Sequence, residues 1–277
     1  MRSGVEYGFP FSLSRWTDVS GTPSKWEWFL DQMRRGSMVG FDPTTAIPCS
    51  WSLAPQDTLG LIFWTRAPAN LVYYEELLRP YRVKVHVTVT GWHEVEPGAP
   101  SLEAGTYWLK RTVEAFGAEN VRWRFSPVPV LPSNTVLDRF WPALDMAASL
   151  GLKEVYTSFL QPNDRVPETR DAEAQNKLLE AMAREAAMVG VKVLLCNEAK
   201  LKPSHAWSHA VCSPPEDFQR PSHNKSSAEG CGCVHMVDPF TINESCQFGC
   251  TYCYAGDKAM SPSKRNTVKL PMFRERL

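Results

Sequence analysis

The stretch RVKVHVTVT, residues 82–90, alternates apolar and polar side chains with a period of two. Val83, Val85, Val87 and Val89 fall on one face of an extended strand, and Lys84, His86, Thr88 and Thr90 on the other. The valine face predicts packing beneath helices. The other face predicts the wall of a polar lumen, because parallel strands seldom leave a face to solvent. VRWRFS (121–126) repeats the pattern, with Arg122 and Arg124 opposite Val121, Trp123 and Phe125. Further strands are predicted at FPFSLS (9–14), LGLIFW (59–64), KEVYTSFL (153–160) and VKVLLC (191–196). Helical patterns lie between them, near 23–35, 70–79, 101–116, 134–150 and 168–189. Ser101 is a natural cap for the third, Ser133 or Asn134 for the fourth, and Gly190 a natural stop for the fifth. Strand–helix alternation predicts an α/β fold with a parallel sheet, and six or seven such units suit a partial (β/α)6-type parallel barrel. The region 37–57, with Pro43, Pro48 and Pro55, breaks the rhythm and reads as an excursion.

The 277 residues are 43% apolar, enough to bury a core, and 30 basic residues balance 30 acidic ones. No global charge points to a polyanionic partner, so contact with nucleic acid requires a local basic surface. No stretch is long and apolar enough to span a bilayer, and MRSGVEYGFPFSLSRW lacks the pattern of a secretory signal. No membrane association and a cytoplasmic location are therefore expected, where thiols stay reduced. Residues 1–200 read as barrel units. Residues 201–277 read as a cysteine-rich C-terminal segment that completes the barrel, with 203–230 mostly loop.

Seven of the eight cysteines lie after residue 195. Cys49 reads as a buried inert thiol. A disulfide framework belongs to small secreted chains, so the late cluster points to metal. The segment VDPFTI (237–242) is predicted as one more strand, delivering ESCQFGCTYCYA (244–255) at its C-terminal end. That end of a parallel barrel carries the chemistry. Cys246-x3-Cys250-x2-Cys253 offers three soft ligands in one short loop. A four-iron cluster takes four ligands, so three leave one iron open.

This spacing, with Tyr252 as the aromatic before the last cysteine, resembles the cluster loop of the radical S-adenosylmethionine superfamily. The resemblance implies a 4Fe-4S cluster on Cys246, Cys250 and Cys253. Its open iron would chelate S-adenosylmethionine, and its electron would split the sulfonium to a 5′-deoxyadenosyl radical that removes hydrogen from substrate. It also implies an electron donor such as flavodoxin or ferredoxin. The pieces SRWTD (14–18), FWTRAP (63–68), EPGAPSLEAG (96–105), RFSP (124–127), CNEA (196–199) and CGC (231–233) look like a domain family of unknown function within or next to that superfamily. PSLEA followed by RFSP also resembles spore photoproduct lyase-like enzymes, although Ser126 stands where those carry aspartate. Superfamily members carry the cluster loop after their first strand. Here it comes last, which implies a circular permutation in which VDPFTI precedes FPFSLS in space. Arg15, Thr17 and Asp18 then become candidates for S-adenosylmethionine, with Asp18 accepting from its ammonium and Arg15 pairing with its carboxylate. Capping of the next helix is the plain alternative for Thr17 or Asp18. Arg124 and Ser158, at strand ends, are further candidates for cofactor or substrate contacts.

Cys196, Cys212, Cys231 and Cys233 remain, and three readings stay open for them. They could hold a second iron–sulfur cluster, with Gly232 relieving the turn. They could bind zinc with His205, His209, His223 or His235. They could also be structural thiols. The alternative function is a zinc-stabilised nucleic-acid-binding protein using its ten tryptophans for stacking. Trp28, Trp64, Trp123 and Trp141, however, sit in helix or strand patterns as core residues. Inward Lys84, His86, Arg122 and Arg124 point to a polar or anionic substrate. With the lyase resemblance, that becomes a nucleobase or nucleotide derivative, including one within DNA.

Overall fold

The valine-faced strands assemble into one parallel sheet in the computed structural model, which describes residues 10–14, 17–41, 47–160, 171–196, 201–218, 232–239 and 246–253. In chain order the elements are β1 (Phe11–Ser12), α1 (Pro23–Arg35), β2 (Ser37–Phe41), β3 (Pro48–Ser52), β4 (Leu61–Thr65), α2 (Ala69–Tyr73), α3 (Glu75–Leu78), β5 (Val83–Thr88), α4 (Leu102–Phe116), β6 (Val121–Val128), α5 (Ser133–Ser149), β7 (Glu154–Phe159), α6 (Ala172–Met188), β8 (Lys192–Leu195), β9 (Trp207–His209) and β10 (Asp238–Pro239). The fold is α/β. Its main sheet has the order β1-β4-β5-β6-β7-β8-β9, with each neighbouring pair parallel.

The helix boundaries follow local chemistry. Ser101 caps α4, its hydroxyl accepting from the Ala104 N–H at 3.1 Å. Asp171 caps α6 by accepting from the N–H groups of Glu173 and Ala174. The α5 start differs from expectation: Ser133 is already helical, Pro132 holds the cap position, and no side chain bonds there. The predicted helix near 70–79 divides into α2 and α3 at Tyr74. Gly190, with a φ of 72°, follows α6 as the expected stop.

The helices all pack on one face of the sheet. Phe63, Val85, Val87, Trp123, Phe125, Val155 and Val193 meet Phe29 of α1, Leu109 of α4, Phe140 and Leu144 of α5, and Leu179 and Met182 of α6 in one core. Full burial of such side chains contributes about 1.5–3 kcal/mol each relative to exposure. Trp123 is wholly buried and stacks on Phe140, while Trp28, Trp64 and Trp141 are half-buried against a core cluster.

The opposite face is polar, as its alternation requires, but it is not an open lumen along its length. Residues 201–218 and 232–237 contribute to it, so the stretch read as mostly loop supplies β9 at one sheet edge and a cover for the inner side chains. Phe218 and Val234 pack on Ile62, and Cys212 and Cys233 pack with Tyr156 and Leu194. Gly60 is needed here, since a Cβ on it would lie 2.5 Å from the Phe218 ring. Asp217 reaches Arg122 at 2.6 Å and Lys84 at 3.6 Å, and Lys84 also donates to Asn120 Oδ1 at 2.9 Å. Two of the cations read as substrate-facing are thus held by an internal carboxylate. The reason is topological: period-two alternation shows that a face is polar, not which later segment covers it.

The excursion at 37–57 holds a β-hairpin that belongs to a second, three-stranded sheet. β2 and β3 pair antiparallel, and β10 adds to β2. Val237 just before β10 bridges Phe11 in parallel, its carbonyl accepting from Ser12 N at 2.9 Å and its N–H donating to Pro10 O at 2.8 Å. The predicted strand 237–242 therefore begins beside β1 and then turns onto the hairpin, while 240–242 lie outside the described residues. Among the described residues no helix is long and apolar enough to cross a membrane.

Removing the Asp217 carboxylate leaves Arg122 and Lys84 without their anion in a largely buried setting. Asp217→Ala is expected to lower unfolding stability by about 3 kcal/mol. A chemical-denaturation midpoint equal to that of the parent chain would show that the cations do not depend on it.

Candidate functional site

Three loops at the C-terminal ends of β1, β4 and β5 converge, and each contributes a buried polar group. After β1, Asp18 places its carboxylate among four donors. One oxygen accepts from Gly21 N at 2.8 Å and Ser20 Oγ at 3.1 Å. The other accepts from Thr65 Oγ1 at 2.9 Å and Arg66 N at 2.8 Å. Burial still pushes the Asp18 carboxyl above its ordinary range, with the backbone bonds opposing. Its acceptor positions are filled by the protein, so Asp18 ties the loop after β1 to the end of β4. The expected role as acceptor for an ammonium group does not fit that geometry, because a carboxylate with four donors in place has no lone pair left to offer.

Arg66 and Glu96 form the centre of the network. The guanidinium binds the carboxylate bidentately, Nη1 to Oε2 at 2.8 Å and Nη2 to Oε1 at 2.7 Å. Glu96 is 0% exposed and the Arg66 side chain 13%. Thr90 Oγ1 donates to Glu96 Oε2. Tyr252 completes the group: Arg66 Nη2 donates to its hydroxyl at 2.7 Å, and that hydroxyl donates to Glu96. Burial pushes the phenol far above its usual range, so it remains a donor. Beyond the pair, Arg139 of α5 lies over the Trp92 ring at 4.5 Å and binds the Glu94 carboxylate at 2.7 and 2.9 Å, bracing the 91–98 loop from outside.

The loop 246–253 is docked onto this frame by its backbone as well. Gly98 N donates to Phe248 O at 3.0 Å, and Thr251 N to Val95 O at 2.9 Å. Gly98 is required because a Cβ would lie 2.6 Å from Gln247 O. Phe248 is buried, and the Gln247 side-chain amide donates to Gly21 O. The loop thereby presents three half-buried thiols at the C-terminal ends of the strands.

Those thiols fit an iron–sulfur cluster by their chemistry. Burial raises the Cys246 and Cys250 thiols above their ordinary range, and charge on Cys253 would raise both further. Buried thiols that repel one another's ionised forms are relieved by a bound cation, with release of protons. Cys246 accepts from the N–H groups of Phe248 and Asp18, and Arg66 favours charge on Cys250. Among the described residues no group of three or more His, Cys, Asp or Glu stands at the spacing of ligands around a single ion. A cluster takes each thiolate on a different iron and so asks for a wider set.

The other predicted residues distribute as follows. Thr17 is buried beside Asp18, and its hydroxyl has no hydrogen-bond partner among the described residues. Arg15 and Cys231 lie outside the described residues. Ser158 shares a 2.6 Å hydrogen bond with Ser126 at the irregular end of the β6–β7 pairing. Arg124 projects from β6 towards the inner face, with Nη1 buried and not hydrogen-bonded among the described residues. Cys196, Cys212 and Cys233 converge on that face. Thr65, Arg66, Thr90 and Glu96 fall within stretches that the sequence marks out, but no site role is expected of them from sequence. The available signal was their place in FWTRAP (63–68), EPGAPSLEAG (96–105) and the polar face of strand 82–90.

The family model described as a domain of unknown function (DUF1848) matches residues 11–255, from β1 through Cys253 to Ala255. No curated protein matches the chain.

Glu96→Gln removes the anion from a buried guanidinium and is expected to lower stability by about 3 kcal/mol, against about 1 kcal/mol for Tyr252→Phe. Equal denaturation midpoints for both variants and the parent would dismiss the network as the anchor. The Glu94–Arg139 pair makes a separate, pH-dependent contribution. Arg139 holds the Glu94 carboxyl down from 4.5 to about 2. Its stabilisation is complete above the unfolded value and disappears as pH falls through 2. Solvent screening of this exposed pair keeps the gain under about 1 kcal/mol. Arg139→Leu should accordingly show a smaller loss of stability between pH 5 and pH 2 than the parent chain.

Proposed function

The chain belongs to the DUF1848 family, and on that premise we propose that it is a radical S-adenosylmethionine enzyme. The observation carrying this reading is the docking of the Cys246–Cys253 loop onto the C-terminal strand ends through Arg66, Glu96 and Tyr252. A 4Fe-4S cluster on Cys246, Cys250 and Cys253 would supply the electron that cleaves S-adenosylmethionine to methionine and a 5′-deoxyadenosyl radical. The chain's own residues do the positioning. Tyr252, held by a charge pair, fixes the backbone between the last two thiols. Asp18 holds the loop after β1 against the end of β4, which sets the buried Thr17 hydroxyl free to meet a polar group of the bound cofactor. Arg15, in the same SRWTD piece, is the proposed partner for the cofactor carboxylate.

The strand order supports a partial barrel in permuted form. It runs monotonically from β1 to β9 with the helices on one face, whereas doubly wound sheets reverse and carry helices on both. Val237 adds a parallel neighbour outside β1, where a first barrel strand would stand. Arg124 and the Ser126–Ser158 pair, at the ends of β6 and β7, favour a polar substrate. A nucleobase or nucleotide derivative, including one within DNA, is the proposed class, and modification or isomerisation the proposed outcome. Single electrons would come from a flavodoxin- or ferredoxin-type donor in the cytoplasm.

Anaerobically reconstituted parent protein should be brown and, once reduced, should release 5′-deoxyadenosine and methionine from S-adenosylmethionine. Cys250→Ala should abolish that release while circular dichroism stays that of the parent. Undiminished release by Cys250→Ala, or a colourless parent that takes up only zinc, would refute the assignment.

A further inference from the structure

We infer that Cys196, Cys212 and Cys233 form a second, thiolate-ligated metal centre on the inner face of the sheet, with His86 as its fourth donor. This centre is independent of the Cys246–Cys253 loop, and its existence does not rest on radical chemistry.

Three separate chain segments bring the sulfurs together. Cys196 directly follows β8, its N–H donating to Thr157 O at 2.7 Å. Cys212 follows β9. Cys233 precedes the Val237 bridge, and the two latter segments are joined by Val234 N donating to Ser213 O at 2.9 Å. The Cys212 and Cys233 sulfurs lie 3.4 Å apart, and Cys196 hydrogen-bonds the Cys212 sulfur as well. None of the three is in a disulfide. Metal–sulfur bonds of about 2.3 Å in a tetrahedron put neighbouring sulfurs about 3.8 Å apart. The Cys212–Cys233 pair is within a few tenths of an ångström of that edge. The described side chains do not yet gather three donors at single-ion spacing, so binding would draw Cys196 and His86 inward.

The sulfurs pack with Tyr156 and Leu194, and a buried polar ring stands beside them. His86 is 0% exposed, yet neither ring nitrogen completes a hydrogen bond among the described residues. The Cys212 carbonyl approaches one of them, and the other is left without a partner. Trp64 stacks on one side of the ring at 5.1 Å, and the Tyr156 ring stands near it at 6.0 Å, so its plane is held. A soft transition metal is the class of ligand that three thiols and an imidazole select.

The test uses the full chain carrying Cys246→Ala, Cys250→Ala and Cys253→Ala together, which removes the loop centre. It should retain one metal centre per chain after loading with iron and sulfide or with zinc. Iron with matching acid-labile sulfide would identify a cluster, and zinc alone a mononuclear site; each supports the centre. Adding Cys212→Ser and Cys233→Ser should abolish the retained metal. Because that variant could fail to fold, cobalt substitution in the triple variant gives a second readout. Sulfur-to-cobalt charge-transfer bands are expected, and His86→Gln should shift the ligand-field bands while keeping them. A folded triple variant that holds no metal and shows no such bands, or whose Cys212 and Cys233 prove to be a disulfide by mass, would overturn the proposal. Metal lost from the triple variant but present in the parent would leave the loop centre standing alone. Metal retained in both, with no S-adenosylmethionine cleavage by the parent, would instead defeat the radical reading.

Discussion

The buried Arg66–Glu96 pair is the constraint around which this end of the molecule is arranged. A wholly buried carboxylate is tolerated only when a cation and further donors meet it, and here Arg66, Thr90 and Tyr252 supply them. Each comes from a different part of the chain: the end of β4, the loops after β5, and the cysteine loop far downstream. Bringing any one into place draws the others. Two flanking contacts extend the pair in opposite directions: Asp18 binds the backbone N–H of Arg66, and Arg139 braces Glu94 two residues before Glu96. The cysteine loop therefore sits where it does because of an electrostatic knot, reinforced by a backbone approach that only Gly98 permits.

The two faces of the sheet have different jobs. The helix-covered face carries the apolar core, and its side chains are nearly all aliphatic or aromatic. The opposite face is divided along the strand direction. Towards the N-terminal end, Lys84 and Arg122 close on Asp217, and Phe218 fills the space over Gly60. Further along lie His86, Arg124 and the three converging thiols, and at the C-terminal ends the cysteine loop. Charge beneath the cover is neutralised internally, whereas Arg124 Nη1 and the Thr17 hydroxyl make no hydrogen bond among the described residues.

Much of this was legible beforehand. The alternation in 82–90 and 121–126 identified the faces of β5 and β6, since a period of two has only one structural meaning in a strand. The cap at Ser101 and the stop at Gly190 are local signals and were read correctly. The cover formed by residues 201–218 and 232–237 was missed because its order arises from contact with the sheet, not from internal periodicity. The cap of α5 was misassigned by one or two residues for want of a side-chain bond to mark it. Asp18 was recognised as important, but its neighbours Thr65 and Arg66, 47 and 48 residues away, could not be inferred from its own loop.

Sequence alone determined the α/β class, the strand faces, most helix limits and the presence of three clustered soft ligands, because these depend on residue type and short-range spacing. Only the tertiary structure decided which cations are consumed by Asp217, which carboxylate anchors the cysteine loop, and which distant thiols share one pocket of the inner face. Those outcomes depend on desolvation and on pairing between segments far apart in the chain. No local pattern encodes the burial of a charge or the identity of the group that meets it.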